Sequence, residues 1–285
     1  MITLKAYAKL NLSLDITGKR EDGYHELDTI MQSISLYDTV MIEKAEGVTV
    51  RMDKDWATGQ DNTAYRAAEA FLKFTGSQGA DISIQKSIPR MAGLGGASAD
   101  AAAVLVGLDR LYETTLSFEA LNGIAVSVGA DVPFALTGGL ARAKGIGERL
   151  TPLNAAKPMF YAVVKPHQGV STAEAFMNYI GSAHVSIDSV KYAVLKGDAE
   201  LFNRYAGNAL GMAALSVAPA ILKAADALKA AGAGKAFMTG SGSAVFAAFE
   251  TYEAARETAE RVKGDFELCG AFRPTAMGVE VIEEQ

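Results

Sequence analysis

Apolar and polar residues alternate over the first sixteen positions of the chain. Ile2, Leu4, Ala6, Ala8, Leu10, Leu12, Leu14 and Ile16 fall on one side, and Thr3, Lys5, Tyr7, Lys9, Asn11, Ser13 and Asp15 on the other. A period of two belongs to a strand, whose successive side chains point to opposite faces. The pattern therefore predicts an N-terminal strand with one apolar face. A second signal runs from Ile82 to Leu108. Ile82, Ile84 and Ile88 recur at the even spacing of a half-buried strand, whereas Ala101, Val104, Leu105, Leu108 and Leu111 recur at three and four, as an amphipathic helix requires. Between them lies Pro89-Arg90-Met91-Ala92-Gly93-Leu94-Gly95-Gly96-Ala97-Ser98-Ala99-Asp100, so this glycine-rich turn opens a helix. Further helices are predicted over 63–74, 219–231 (ended by Gly232) and 252–262, and strands over 159–164, 236–238 and 244–249. The C-terminal half reads as a compact α+β layer.

Length and composition narrow the class. The 285 residues suit one large or two ordinary domains, and two are expected here. The segment from Leu150 to Pro158 carries two prolines between an Arg/Lys/Gly-rich stretch and an apolar strand. A boundary near residue 155 follows, with domains 1–155 and 156–285. Lys and Arg number 27 against 33 Asp and Glu, a net charge of −6, and no basic run occurs. The electrostatic footprint of a nucleic-acid binder is therefore missing. Cys269 is the only cysteine, which excludes an intramolecular disulfide and points to a reducing compartment, and His25, His167 and His184 lack zinc-ligand spacing. No basic leader precedes an apolar core and no apolar run reaches roughly 18 residues. A cytoplasmic protein without nucleic-acid or membrane partners is expected.

The glycine-rich turn is the first candidate site. Unpaired backbone N–H groups and the positive end of the macrodipole favour an anion at a helix N-terminus, and glycines let a phosphate come close. No lysine follows the last glycine as a Walker A loop needs, and Ser98 stands where the dinucleotide fingerprint needs its third glycine. A tight turn alone would also explain the glycines. On the first strand Lys9 and Asn11 share a face roughly 7 Å apart, able to meet one small ligand, although a lone lysine is more often solvated. Asp131 precedes Val132-Pro133-Phe134, where it could cap a helix by accepting from the Phe134 N–H or partner Lys9. In the loop from Gly18 to Leu27, Tyr24 could stack on a flat heterocycle and His25 bond its edge, or both could belong to a surface turn.

Taken together, Ala6-Tyr7-Ala8-Lys9-Leu10-Asn11-Leu12, Asp22-Gly23-Tyr24-His25-Glu26-Leu27, the segment Pro89 to Asp100 and Gly129-Ala130-Asp131-Val132-Pro133-Phe134 resemble the GHMP kinases in order and spacing. Gly240-Ser241-Gly242-Ser243-Ala244 is similar to that family's third motif, and the Tyr-His pair with the Lys-x-Asn strand resembles its cytidine-diphosphate branch. The resemblance implies a two-domain α+β fold. Its N-terminal ATP-binding domain would be of the ribosomal-protein-S5-domain-2-like type and its C-terminal domain a ferredoxin-like α/β plait, with the active site in the cleft between them. It also implies transfer of the ATP γ-phosphoryl group to the 2-hydroxyl of 4-diphosphocytidyl-2-C-methylerythritol, in the non-mevalonate route to isoprenoid precursors.

By the same resemblance Asp131 would accept the hydroxyl proton and Lys9 would hold that carboxylate and the developing charge. Pro89, Arg90, Met91, Ala92, Gly93, Leu94, Gly95, Gly96, Ala97, Ser98 and Ala99 would wrap the ATP phosphates, and Asn62 would approach adenine. Tyr24 and His25 would hold cytosine, with Phe176 on its other side and Thr172 and Asn11 nearby. Two departures stand out. Gly207-Asn208-Ala209-Leu210-Gly211 keeps only Asn208 and Leu210 of a family segment, and no Asp or Glu marks itself as a ligand for the expected Mg²⁺, for which Ser98 is the one candidate. A monomer or weak homodimer is expected. Another small-molecule kinase of the superfamily and a catalytically silent ligand sensor are the alternatives.

Overall fold

The computed structural model describes residues 1–54, 56, 59–181 and 184–284. Its first sheet is built from β1 (Ile2–Lys19), β2 (His25–Lys44), β3 (Val48–Met52), β4 (Ala80–Gln85), β5 (Leu140–Gly145) and β6 (Arg149–Pro152). Helices α1 (Thr63–Thr75), α2 (Gly96–Leu111), α3 (Phe118–Val128) and α4 (Val132–Thr137) accompany it. The second sheet comprises β7 (Phe160–Lys165), β8 (Phe237–Met238), β9 (Val245–Phe249) and β10 (Leu268–Phe272). Between β7 and β8 lie α5 (Thr172–Met177), α6 (Ile187–Lys196), α7 (Ala199–Tyr205), α8 (Gly211–Val217) and α9 (Ala220–Ala230), and α10 (Tyr252–Arg261) joins β9 to β10. The last strand, β11 (Val279–Glu284), returns to the first sheet and pairs antiparallel with β1.

The first sheet runs β11-β1-β2-β4-β3, with β5 continuing from the start of β2 and β6 at its edge. The alternation in β1 explains its core. Ile2, Leu4, Ala6, Ala8, Leu10 and Leu12 are buried and pack with Ile42, Val104, Leu105 and Leu108, so α2 lies on the apolar face of β1. The second sheet runs β10-β7-β9-β8. Numbered within itself that order is 4-1-3-2 with βαββαβ connectivity, the ferredoxin-like arrangement. We propose the division near residue 155 for the two sheets, since it falls between β6 and β7, with β11 assigned back to the first. Among the described residues no single helix is long and apolar enough to cross a membrane.

One alternative for β1 falls away and one expectation needs correction. Its polar side is not solvated, because Lys9, Asn11, Ser13 and Asp15 are all buried. The second half of the chain covers them. The Asn11 N–H donates to Thr239 Oγ1 at 2.8 Å, Ser13 Oγ donates to the Gly207 carbonyl at 2.8 Å, and Asp15 Oδ1 accepts from the Val185 N–H at 3.2 Å. The single apolar face also ends early. The pairing of β1 with β2 slips by one residue between Asn11 and Ser13, and such a slip moves side chains to the other face. Leu14 and Ile16 accordingly pack with Val164, Val170 and Leu210 beside the second sheet. This slip sits immediately after Lys9 and Asn11, where the two halves of the chain meet.

Candidate active site

A cleft of about 1030 Å³ opens between the two sheets. One side of it is built from the glycine-rich turn. Gly95 occupies the N-cap of α2 at φ 74° with no capping side chain, which leaves first-turn N–H groups for a ligand. The turn is pinned on both flanks. The Lys9 N–H donates to the Leu94 carbonyl at 2.9 Å, Val170 N–H to Met91 O at 3.0 Å, and Ala244 N–H to Ala92 O at 3.0 Å. A Cβ on Gly95 would stand 2.9 Å from Lys9 Cγ, and one on Gly93 only 2.2 Å from the Thr239 carbonyl. The glycines thus permit close packing with Lys9 and with the Gly240 loop, which a turn-only role does not require. Gly95→Ala is expected to push the Lys9 stem aside and lower kcat/KM at least about tenfold, with steady-state kinetics as the measurement; unchanged kinetics would remove the packing argument.

Lys9 stands at the centre. Its Nζ lies 3.4 Å from Asp131 Oδ2 and donates to Asn11 Oδ1, while Asn11 Nδ2 donates to Thr29 Oγ1 at 2.9 Å. The lysine side chain is 9 % exposed and that of Asp131 38 %, so an enclosed ammonium faces a carboxylate open to the cleft. Asp131 does precede α4, but its side chain makes no capping hydrogen bond. Pro133 at the second helical position supplies no donor, and the carboxylate turns to Lys9 instead. The expected cap through the Phe134 N–H is therefore corrected.

The opposite end is aromatic. Tyr24 is 60 % exposed at the mouth. The His25 ring stacks on Phe176, with centroids 5.2 Å apart and planes at 18°, and meets Tyr179 edge-on at 5.7 Å. No third ring fits between His25 and Phe176 at that spacing, so a base reaches His25 by its edge. Burial first, and then the Lys19 charge, lower the His25 pKa from 6.5. The imidazole is thus neutral at pH 7, with one donor and one acceptor. Thr172, at the start of α5, pairs with Ser241 Oγ at 3.1 Å. Asn62 lines the cleft and caps α1, its Oδ1 accepting from the Ala64 and Tyr65 N–H groups.

The cleft gathers Lys9, Asn11, Tyr24, His25, Asn62, Asp131, Thr172, Phe176 and the turn from Pro89 to Ser98. Ala99 is the exception, since it is buried on the core side of α2. Several lining residues escaped the sequence reading, Trp56, Arg66, Lys86 and Ile146 among them, while Asp100, Gly240 and Ser241 belonged to recognised motifs without an assigned place in the site. Lys86 donates to Asp38 Oδ2 and, at 2.5 Å, to Asp100 Oδ2, and all three side chains are buried. Burial pushes the Lys86 ammonium towards neutrality, but Asp100 and Asp38 outweigh it and the pKa is raised. Asp100 is pushed up to about 7, by burial first, against Lys86 and with a further push from Asp38. Asn208 holds the Gly240 loop, donating to the Met238 and Gly240 carbonyls at 2.9 and 2.8 Å. Among the described residues no three His, Cys, Asp or Glu side chains form a metal cluster.

Comparison with known proteins agrees with this geometry. The model of the GHMP kinases N terminal domain matches residues 62–139 and that of the GHMP kinases C terminal domain residues 190–268. The chain is 43 % identical over 263 residues to the 4-diphosphocytidyl-2-C-methyl-D-erythritol kinase of Desulfitobacterium hafniense (strain Y51), covering 90 % of each. It is 38 % identical over 276 residues to the enzyme of that name from Clostridium perfringens (strain 13 / Type A), covering 94 % of this chain and 96 % of the relative. A crystal structure of 4-(cytidine 5'-diphospho)-2C-methyl-D-erythritol kinase superposes with a TM-score of 0.79 at 34 % identity, over 95 % of this chain and 99 % of that one. Homoserine kinase from Cytophaga hutchinsonii shares the fold alone, with a TM-score of 0.78 at 19 % identity over 99 % and 97 %.

Proposed function

Because the chain belongs to the GHMP kinases, in their 4-diphosphocytidyl-2-C-methyl-D-erythritol kinase family, we propose that it phosphorylates the 2-hydroxyl of that cytidylyl alcohol with ATP. It would do so in the non-mevalonate route, as a cytoplasmic enzyme and a monomer or weak homodimer. The observation that carries this reading is the Lys9–Asp131 pair at 3.4 Å, lying in one cleft with both the N-terminus of α2 and the aromatic end at Tyr24, His25 and Phe176. A kinase for a nucleotide-tagged alcohol needs these three parts together.

In this reading the acceptor oxygen forms a bond to the γ-phosphorus, the bond to the β–γ bridging oxygen breaks, and ADP leaves. The hydroxyl proton passes to Asp131, which can return it to water through its exposed edge. Phosphoryl transfer has a loose transition state, so positioning and charge stabilisation dominate over base strength. Lys9 faces the Asp131 carboxylate and would meet charge developing at the transferred group, while Asn11 fixes the ammonium. First-turn amides of α2, with Arg90 and Ser98, would receive the triphosphate, and Asn62 would lie on the adenine side. Mg²⁺ bound to ATP would neutralise phosphate charge. It is commonly held by one or two protein oxygens, phosphates and water, and the Ser98 hydroxyl, which lines the cleft, fits that modest donor set without a dedicated cage.

Tyr24 and Phe176 supply stacking faces for cytosine, and neutral His25 matches its ring acceptor and amino donor. Protonation of His25 removes the acceptor, so KM for the cytidylyl substrate is expected to rise as pH falls below 6.5, with KM for ATP little changed. In His25→Asn that rise should vanish. A parallel change in both KM values would show that His25 does not report on cytosine.

The direct test follows ADP release with ATP, Mg²⁺ and 4-diphosphocytidyl-2-C-methylerythritol, beside mevalonate, homoserine and galactose. Turnover confined to the cytidylyl acceptor is expected. Turnover with another acceptor instead would void the Tyr24 and His25 roles, and nucleotide binding without turnover would mark a sensor.

A further inference from the structure

We infer that Ile146, on the turn joining β5 to β6, reads the methyl branch of the acceptor and is the residue that separates it from an unbranched polyol. The inference rests on the functional reading above. Of the turn residues Gly145, Ile146, Gly147 and Glu148, it is Ile146 that lines the cleft. It is half-buried, and its position is set from both sides. On one side Gly145 pairs with Leu27, two residues beyond His25 at the aromatic end. On the other, Gly147 is buried against Asp131, where a Cβ would stand 3.7 Å from Oδ1 and 3.8 Å from the Ala130 carbonyl. Ile146 therefore lies between the cytosine grip and the proton acceptor, one residue from the glycine packed on Asp131 and so alongside the reacting carbon of the bound acceptor.

The chemistry of that reacting end makes an isoleucine informative. Between the base and the reacting carbon the acceptor offers ribose and tetritol hydroxyls and a diphosphate, and the reacting carbon itself carries the one C-methyl group beside its hydroxyl. An aliphatic side chain hydrogen-bonds none of the polar groups, and its favourable contact is with the methyl. The turn is also held in shape. The Glu148 carboxylate folds back to accept from the Ile146 N–H at 2.7 Å, and the Gly147 N–H donates to the Lys144 carbonyl at 3.2 Å. A fixed aliphatic wall discriminates by the loss of contact with an absent methyl, an effect of about 10–200-fold per methylene-sized group in a hydrophobic pocket.

The test compares kcat/KM for 4-diphosphocytidyl-2-C-methylerythritol with that for 4-diphosphocytidyl-erythritol, which lacks the methyl, in the wild type, Ile146→Val and Ile146→Ala. A ratio of two acceptors on one protein is insensitive to partial misfolding. The wild type is expected to favour the methylated acceptor by about tenfold or more, Ile146→Val to keep most of that preference, and Ile146→Ala to bring it within about threefold. The loss should fall on the methylated acceptor, with KM for ATP unchanged. A wild type indifferent to the methyl, or a ratio that survives in Ile146→Ala, overturns the inference while leaving the kinase reading intact. Absence of turnover with either acceptor overturns the kinase reading, and the inference with it.

Discussion

Asp131→Asn is expected to lower kcat by about 10²–10⁴-fold, the range lost with a positioned acid–base group, while the dissociation constant for ATP stays within a few fold. The substitution keeps the size of the side chain and an oxygen facing Lys9, so the 3.4 Å neighbourhood survives sterically. The variant loses the negative charge that holds the ammonium and the lone pair that accepts the hydroxyl proton. ATP binding is spared because its loop is tied elsewhere, through Lys9 N–H, Val170 N–H and Ala244 N–H to the carbonyls of Leu94, Met91 and Ala92. Single-turnover phosphoryl transfer together with nucleotide titration separates the two quantities. A near-normal kcat would remove Asp131 from proton transfer. A large loss of ATP affinity would instead make it part of the nucleotide site.

The residues most visible in the sequence were those whose chemistry is local. The alternation of β1 reveals Lys9 and Asn11, and the glycines before α2 reveal the uncapped helix start that lines the cleft, because both depend on periods of a few residues. What was hidden depends on pairing over long separations. Asn11, Ser13 and Asp15 look like a solvated face until the second half of the chain covers them, and no local pattern reports that cover. β2, from His25 to Lys44, is buried along both faces over much of its length, so it lacks the alternation that revealed β1. Ile146 becomes a site residue only because β5 returns beside β2, more than a hundred residues on in the chain, and Lys86 only because its two carboxylate partners come from β2 and α2. The Gly240 loop shows the intermediate case: its motif is legible, but its place in the cleft follows from Gly93 and Asn208, which hold it against the phosphate turn.

Beneath that turn lies the largest expected effect on stability. Lys86→Met strands Asp38 and Asp100 as two buried carboxylates without a cation, and breaking a buried ion pair from one side costs about 3–5 kcal/mol. Asp38 retains its bonds from the Ser87 and Ile88 N–H groups at 2.6 and 2.8 Å. Asp100 retains little, since its Oδ1 has no hydrogen-bond partner even in the wild type. The wild-type direction with pH follows from Asp100, whose folded pKa is raised from 3.8 to about 7. The folded state then binds a proton that the unfolded state has released, so this contribution to stability is present at low pH and is lost as pH rises through about 7. Asp100→Asn cannot ionise and leaves Lys86 paired with Asp38 alone, so it is expected to gain on the wild type as pH rises from about 5 to about 8. Lys86→Met should show the opposite ranking, with a deficit that grows over the same range as charge builds on Asp100 with no cation beside it. Urea denaturation of the three proteins at about pH 5 and about pH 8 decides the matter. Parallel shifts at the two pH values would mean that packing, not the charge balance of the triad, sets the stability of this floor of the site.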